Sequence, residues 1–122
     1  WGRMSTAQML SHVQVPLKLA LGETTIKRNL IGLLLGGFAK KKLMSDQPFT
    51  HNLPTHPNFV RKGEYDFEKE KTALLAALTR LQLGGASIIT KDPHPFFGKM
   101  NTHEWSILLW KHFDHHLRQF GV

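Results

Sequence analysis

The sequence predicts an all-α domain of four helical segments. Apolar residues recur at three- and four-residue spacing in four blocks, and each block is bounded by residues suited to helix caps or stops. The one strand-like run, Ser87-Ile88-Ile89-Thr90, is too short to build a sheet. With 122 residues and 41% hydrophobic content, the chain has material for a single domain, 1–122, with a modest core.

Ser5-Thr6-Ala7-Gln8 has the form of a capping box, so the first helix should start there and run to about Leu21, stopped by Gly22. His12, Met9, Pro16 and Leu19 share one face, and Leu10, Leu17 and Leu21 occupy the other side. Only Ser11, Gln14 and Lys18 mark a narrow wet strip, so this helix should be buried between neighbours. Pro16 cannot donate to the His12 carbonyl, so an irregular turn is expected at the histidine.

Thr24 or Thr25 is the expected cap of a second segment, Ile26 to about Met44, in which Gly36-Gly37 either breaks the helix or permits close packing. The run Lys40-Lys41-Lys42 closes it, where cations suit the negative end of the helix dipole. Residues 45–65 lack a helical period, and connections of that length tend to be lids or binding loops. His51 and His56 lie there, and loop histidines beside prolines are ordinarily solvated. Asp66 should cap the third helix, with an apolar stripe of Phe67, Leu74, Leu75, Leu78 and Leu81 and a stop at Gly84-Gly85. Asp92-Pro93-His94-Pro95 reads as turn and extended chain, and Asn101 or Thr102 caps the last helix.

That last helix places Trp105, Leu108, Leu109, His112, His116 and Gln119 within an arc of roughly 100°. Two histidines one turn apart therefore fall inside the stripe that should face the core. A buried histidine can equally be a core residue hydrogen-bonded to a neighbour, and for the pair alone that reading weighs as much as metal. His12, in phase on another helix, favours a metal site of His12, His112 and His116. Neutral imidazoles suit Zn, Ni, Fe or Cu, and three ligands leave positions open for water or substrate. His115 flanks the stripe at its edge, Asp114 points away, and Glu104 and Gln8 either orient an imidazole or act only as capping groups.

The chain has no cysteine, which excludes a disulfide framework, thiolate ligands and a thiol nucleophile, and is compatible with the cytoplasm, the expected location. No apolar run is long enough to span a membrane. The net charge of +7 permits nucleic-acid partners, but the cations are scattered, and no phosphate loop, nucleophile elbow or zincin pattern is present. Nucleic acid is therefore not the expected partner.

Trp1-Gly2-Arg3-Met4-Ser5 leading to Gln8-Met9-Leu10-Ser11-His12, Asn52-Leu53-Pro54-Thr55, His94-Pro95-Phe96-Phe97-Gly98-Lys99 and Lys111-His112-Phe113-Asp114-His115-His116-Leu117-Arg118-Gln119-Phe120-Gly121 together resemble an uncharacterised bacterial family of the DinB/YfiT-like metalloenzyme superfamily. The resemblance implies a DinB-like four-helix bundle in up-down-down-up order, with a divalent metal, Zn or Ni first, on His12, His112 and His116. It implies a helix ahead of the one bearing the first histidine. The chain opens on Trp1 rather than an initiator Met, and its first helix calls for one more neighbour, so that helix is expected to be missing from this sequence.

Superfamily activities include transfers dependent on low-molecular-weight thiols. The expected function is thus a metal-dependent transferase or hydrolase acting on a small molecule, with no catalytic residue assigned beyond the metal ligands. The alternative is a non-catalytic metal-binding module of a stress response. A homodimer is kept as a candidate assembly because two-fold pairs are the commonest closed oligomers.

Overall fold

A computed structural model describes residues 1–122 and is all-helical, with α1 (Thr6–Ala20), α2 (Leu30–Leu43), α3 (Phe67–Gly84) and α4 (Thr102–Gln119). Short 3-10 turns occupy Pro57–Phe59 and Gly85–Ile88. The expected strand-like run thus lies partly in a 3-10 turn, and the chain has no strand, only an isolated bridge between His94 and Gly98. No helix is long and apolar enough to cross a membrane.

The caps follow from side-chain chemistry. Ser5 Oγ accepts from the Gln8 amide while the Ser5 amide donates to Gln8 Oε1, which completes the capping box. Asp66 and Asn101 accept from the amides of Lys69 and Glu104. Gly22 turns the chain after α1 at φ 70°, a conformation that glycine adopts without a Cβ penalty. The second helix starts later than expected: Asn29, not Thr24 or Thr25, accepts from the Gly32 amide, so residues 26–29 stay outside α2.

Helix α1 lies at the centre, packed against α3 and α4. Nine of its residues are buried, including Val13, Pro16 and Leu17, and the helix runs unbroken through Pro16. Gln14, expected on the wet strip, is also buried, because α3 covers it and supplies Glu70 Oε2 to accept from Gln14 Nε2 at 2.8 Å. Conversely, Phe67 and Leu75 of the expected α3 stripe are exposed. The contact face of α3 is narrower and centres on Leu74 and Ala77.

Helix α2 is continuous through Gly36-Gly37, and its inward face packs on the Pro95-Phe96 backbone. A Cβ on Gly36 would collide with the Phe96 carbonyl, whereas one on Gly37 would meet nothing within 4 Å. The far end of α2 is tied down by two lysines. Lys40 pairs with Glu104 at 3.0 Å and donates to the Lys99 carbonyl, while Lys111 of α4 donates to the carbonyls of Leu43, Ser45 and Gln47. These carbonyls at the end of α2 and just beyond it have no intrahelical donor, so a cation suits them.

The segment read as turn and extended chain forms a tight turn around His94. Its Nδ1 accepts from the amides of Phe96 and Phe97, at 3.0 and 3.2 Å, which leaves the ring hydrogen on Nε2. The ring is buried against Phe97 and Trp105. Burial, reinforced by the positive potential of His56 and Arg28, lowers its pKa from 6.5 to about 3.

Two outcomes are expected. Gly36→Ala should destabilise the fold by about 1–3 kcal/mol through overpacking, and Gly37→Ala should stabilise it by about 0.5–1 kcal/mol through helix propensity, both read by urea denaturation. His94 binds its proton more weakly folded than unfolded, so its contribution to stability is complete above pH 6.5 and is lost as the pH falls towards 3. His94→Asn, which keeps an acceptor for the two amides but cannot titrate, should flatten the acid limb of stability against pH by up to about 1.4 kcal/mol per unit.

Candidate metal centre

Two helices and one loop build a candidate site beside the middle of α1. His12 arises from the second turn of α1, and His112 and His116 from the last two turns of α4, one above the other. Each can offer a ring nitrogen such that all three nitrogens lie within 4.8 Å of one another. The structure thus brings together the three histidines selected from helical phase, a group that could hold a metal ion.

Hydrogen bonds set the direction of two rings. His12 Nδ1–H donates to the Phe59 carbonyl at 2.9 Å, which leaves the Nε2 lone pair free to face the other histidines. His116 Nδ1–H donates to Gln119 Oε1 at 2.7 Å, while Gln119 Nε2 donates to the Trp1 carbonyl at 2.8 Å. A carbonyl can only accept, so the Trp1 contact fixes the amide orientation and hence the His116 tautomer. Metal-binding imidazoles need such partners on the remote nitrogen.

His12 Nε2 and His112 Nε2 are 3.1 Å apart. Two metal–nitrogen bonds of about 2.0–2.1 Å separate their nitrogens by about 2.9 Å at a right angle and about 3.4 Å at the tetrahedral angle. The observed spacing falls between these limits. It is also a hydrogen-bond distance, with His112 Nε2–H donating to His12, so a cation would replace that shared proton. His112 Nδ1 is buried without a partner in the structure.

Burial lowers the pKa of all three groups. For His12, desolvation outweighs the opposing hydrogen bond to Phe59. His112 is held well below 6.5 by desolvation first and then by the positive potential of His12 and His116. His116 is lowered to about 4 by desolvation against the support of Gln119. Neutral imidazole is the ligating form, so the lowered basicity of these rings suits a metal.

The neighbouring side chains sort themselves by contact. His115 stays outside the group, its ring against His116, Trp1 and Phe49. His51 stacks on Trp1 with ring centroids 3.6 Å apart. His56 caps the Pro57–Phe59 turn by accepting from the Asn58 amide, and so supports the segment whose carbonyl orients His12. Gln8 and Glu104 are capping and pairing groups: Gln8 also donates to the Gly63 carbonyl, and Glu104 pairs with Lys40. Asp114 is taken by Arg118.

Sequence reasoning missed two supports of the site. Gln119 already shared the arc of His116, and its spacing of three on a helix is the signal that could have identified it. The Phe59 carbonyl had none, because a backbone acceptor supplied by a loop leaves no mark in residue identity.

His112→Ala should lower affinity for Zn(II) or Ni(II) at least about 100-fold, and Gln119→Leu, which keeps all three histidines, about 10–100-fold. Both effects are measurable by competition with a chromophoric chelator on tag-free protein.

No curated protein and no solved structure matches the chain. A family model does match, over residues 2–121, and it is not one of the DinB/YfiT families. The expected membership of that superfamily is corrected accordingly, and the up-down-down-up order, which only that resemblance implied, carries no further weight. On a match that spans nearly its whole length, the chain belongs to the family described as "Protein of unknown function (DUF1569)".

Proposed function

We propose that this chain is a metal-dependent enzyme acting on a small molecule, a hydrolase or group transferase in a four-helix bundle, with a divalent ion on His12, His112 and His116. The observation that carries the reading is the convergence of three imidazoles of lowered basicity in one group, His12 and His116 buried and His112 partly so. A donor set of nitrogens alone, without thiolate or carboxylate, suits zinc or nickel. No further His, Asp or Glu joins the group. Structural zinc sites close with four protein ligands, whereas three leave a position for an exogenous ligand, which favours catalysis over a metal that only staples the helices. When bound, such an ion lowers the pKa of a coordinated water or thiol towards neutrality.

The chain's own residues supply order rather than proton transfer in this reading. The Phe59 carbonyl and Gln119 hold two rings in the ligating tautomer, and burial keeps the imidazoles unprotonated. Water, the ligand that solvent supplies to an open coordination position, is the first candidate for the activated reactant.

The test is cobalt substitution of tag-free protein, with the visible spectrum followed as azide, then a low-molecular-weight thiol, is added. A spectrum that changes with either ligand, and a cobalt signal lost in His112→Ala, is the expected result. A cobalt centre indifferent to both, in a protein that unfolds on chelation, would assign the metal to a non-catalytic module instead.

A further inference from the structure

Helix α2 departs from the pattern of α1. Gly32, Gly36 and Leu43 face inward, while Leu30, Ile31, Leu33, Leu34, Leu35 and Phe38 are between 55% and 76% exposed. No charged residue occurs from Leu30 to Ala39. A helix apolar around most of its circumference belongs in an interior, and a contiguous exposed apolar patch of more than a few hundred Å² marks an interaction surface.

We propose that this face of α2 is the interface of a homodimer, in which α2 packs on α2 of a second copy about a two-fold axis. The area argues for that occupant. At about 200 Å² for a fully exposed Leu or Phe, the six side chains present on the order of 800 Å², and a standard interface removes about 800 Å² from each partner. A two-fold contact uses the same patch twice, so one surface accounts for the whole interface.

Leu34, 74% exposed, lies midway between Leu30 and Phe38 and so falls near the axis, against its own counterpart. The exposed Lys41 and Lys42 follow the patch at its C-terminal end, where an interface has its polar rim.

A lipid surface fits less well. Helices that lie in an anionic membrane carry cations along the face opposite the apolar one. Here that opposite face is the line of Gly32, Gly36 and Lys40, turned inward against Pro95-Phe96, with Lys40 engaged by Glu104 and the Lys99 carbonyl.

Sedimentation velocity of the full chain at micromolar concentrations tests the proposal. Wild type should sediment with the mass of two chains. Leu34→Glu and Phe38→Glu, both at exposed positions, should sediment as single chains with unchanged helical circular dichroism, the dissociation constant rising at least about 100-fold. A wild type of single-chain mass throughout overturns the proposal, and so does a dimer that survives both substitutions. Flotation of a monomeric wild type with phosphatidylserine vesicles would overturn it in favour of lipid.

Discussion

The enclosure of α1 is the constraint on which the rest of this structure depends. A helix with nine buried residues, among them Val13, Leu17 and Ala20, forces the rest of the domain to be arranged around it. Helices α3 and α4 pack directly on it, with Leu74, Ala77, Trp105, Leu108 and Leu109 filling the contact. Apolar burial of this kind is non-directional. The polar groups carried into the same interior must therefore find partners of their own, and His12 and Gln14 are where that requirement is met.

Those two residues meet it differently. Gln14 is satisfied by the Glu70 carboxylate and by the Leu10 and Glu70 carbonyls, and its role ends with that pairing. His12 is satisfied on one side by the Phe59 carbonyl, and its other nitrogen meets His112. Three imidazoles brought into contact with one another and depressed in basicity are a costly arrangement for packing alone. A divalent ion would draw on the ring lone pairs that face one another. The metal reading thus rests on the manner of burial as much as on proximity.

The loop from residue 45 to 65 and helix α2 show how function and packing are divided. The loop has little regular structure, yet it delivers the Phe59 carbonyl to His12 and sets His51 against Trp1. Lys111, gathering three carbonyls from the end of α2 and the start of the loop, joins that segment to the helix that carries His112 and His116. Helix α2 is anchored at its glycines and its final turn, while its apolar flank faces outward. The flank is therefore available to another chain without disturbing the histidines.

By itself, the sequence determined the helical elements, apart from the start of α2, and singled out the three histidines that come together. Ser5, Asp66 and Asn101 cap through their own side chains, and the phase of His12 against His112 and His116 follows from 3.6 residues per turn, so both are local properties readable in order along the chain. Tertiary structure alone decided what depends on contacts between distant residues. That Gln14 is buried and Leu75 exposed reflects where α3 lies on α1. That Gly36 is a contact and Gly37 is not reflects the passage of Phe96 beneath α2. The tautomers of His12 and His116 depend on a loop carbonyl and on Gln119 held by the Trp1 carbonyl, whose positions become fixed only when segments remote in sequence pack together.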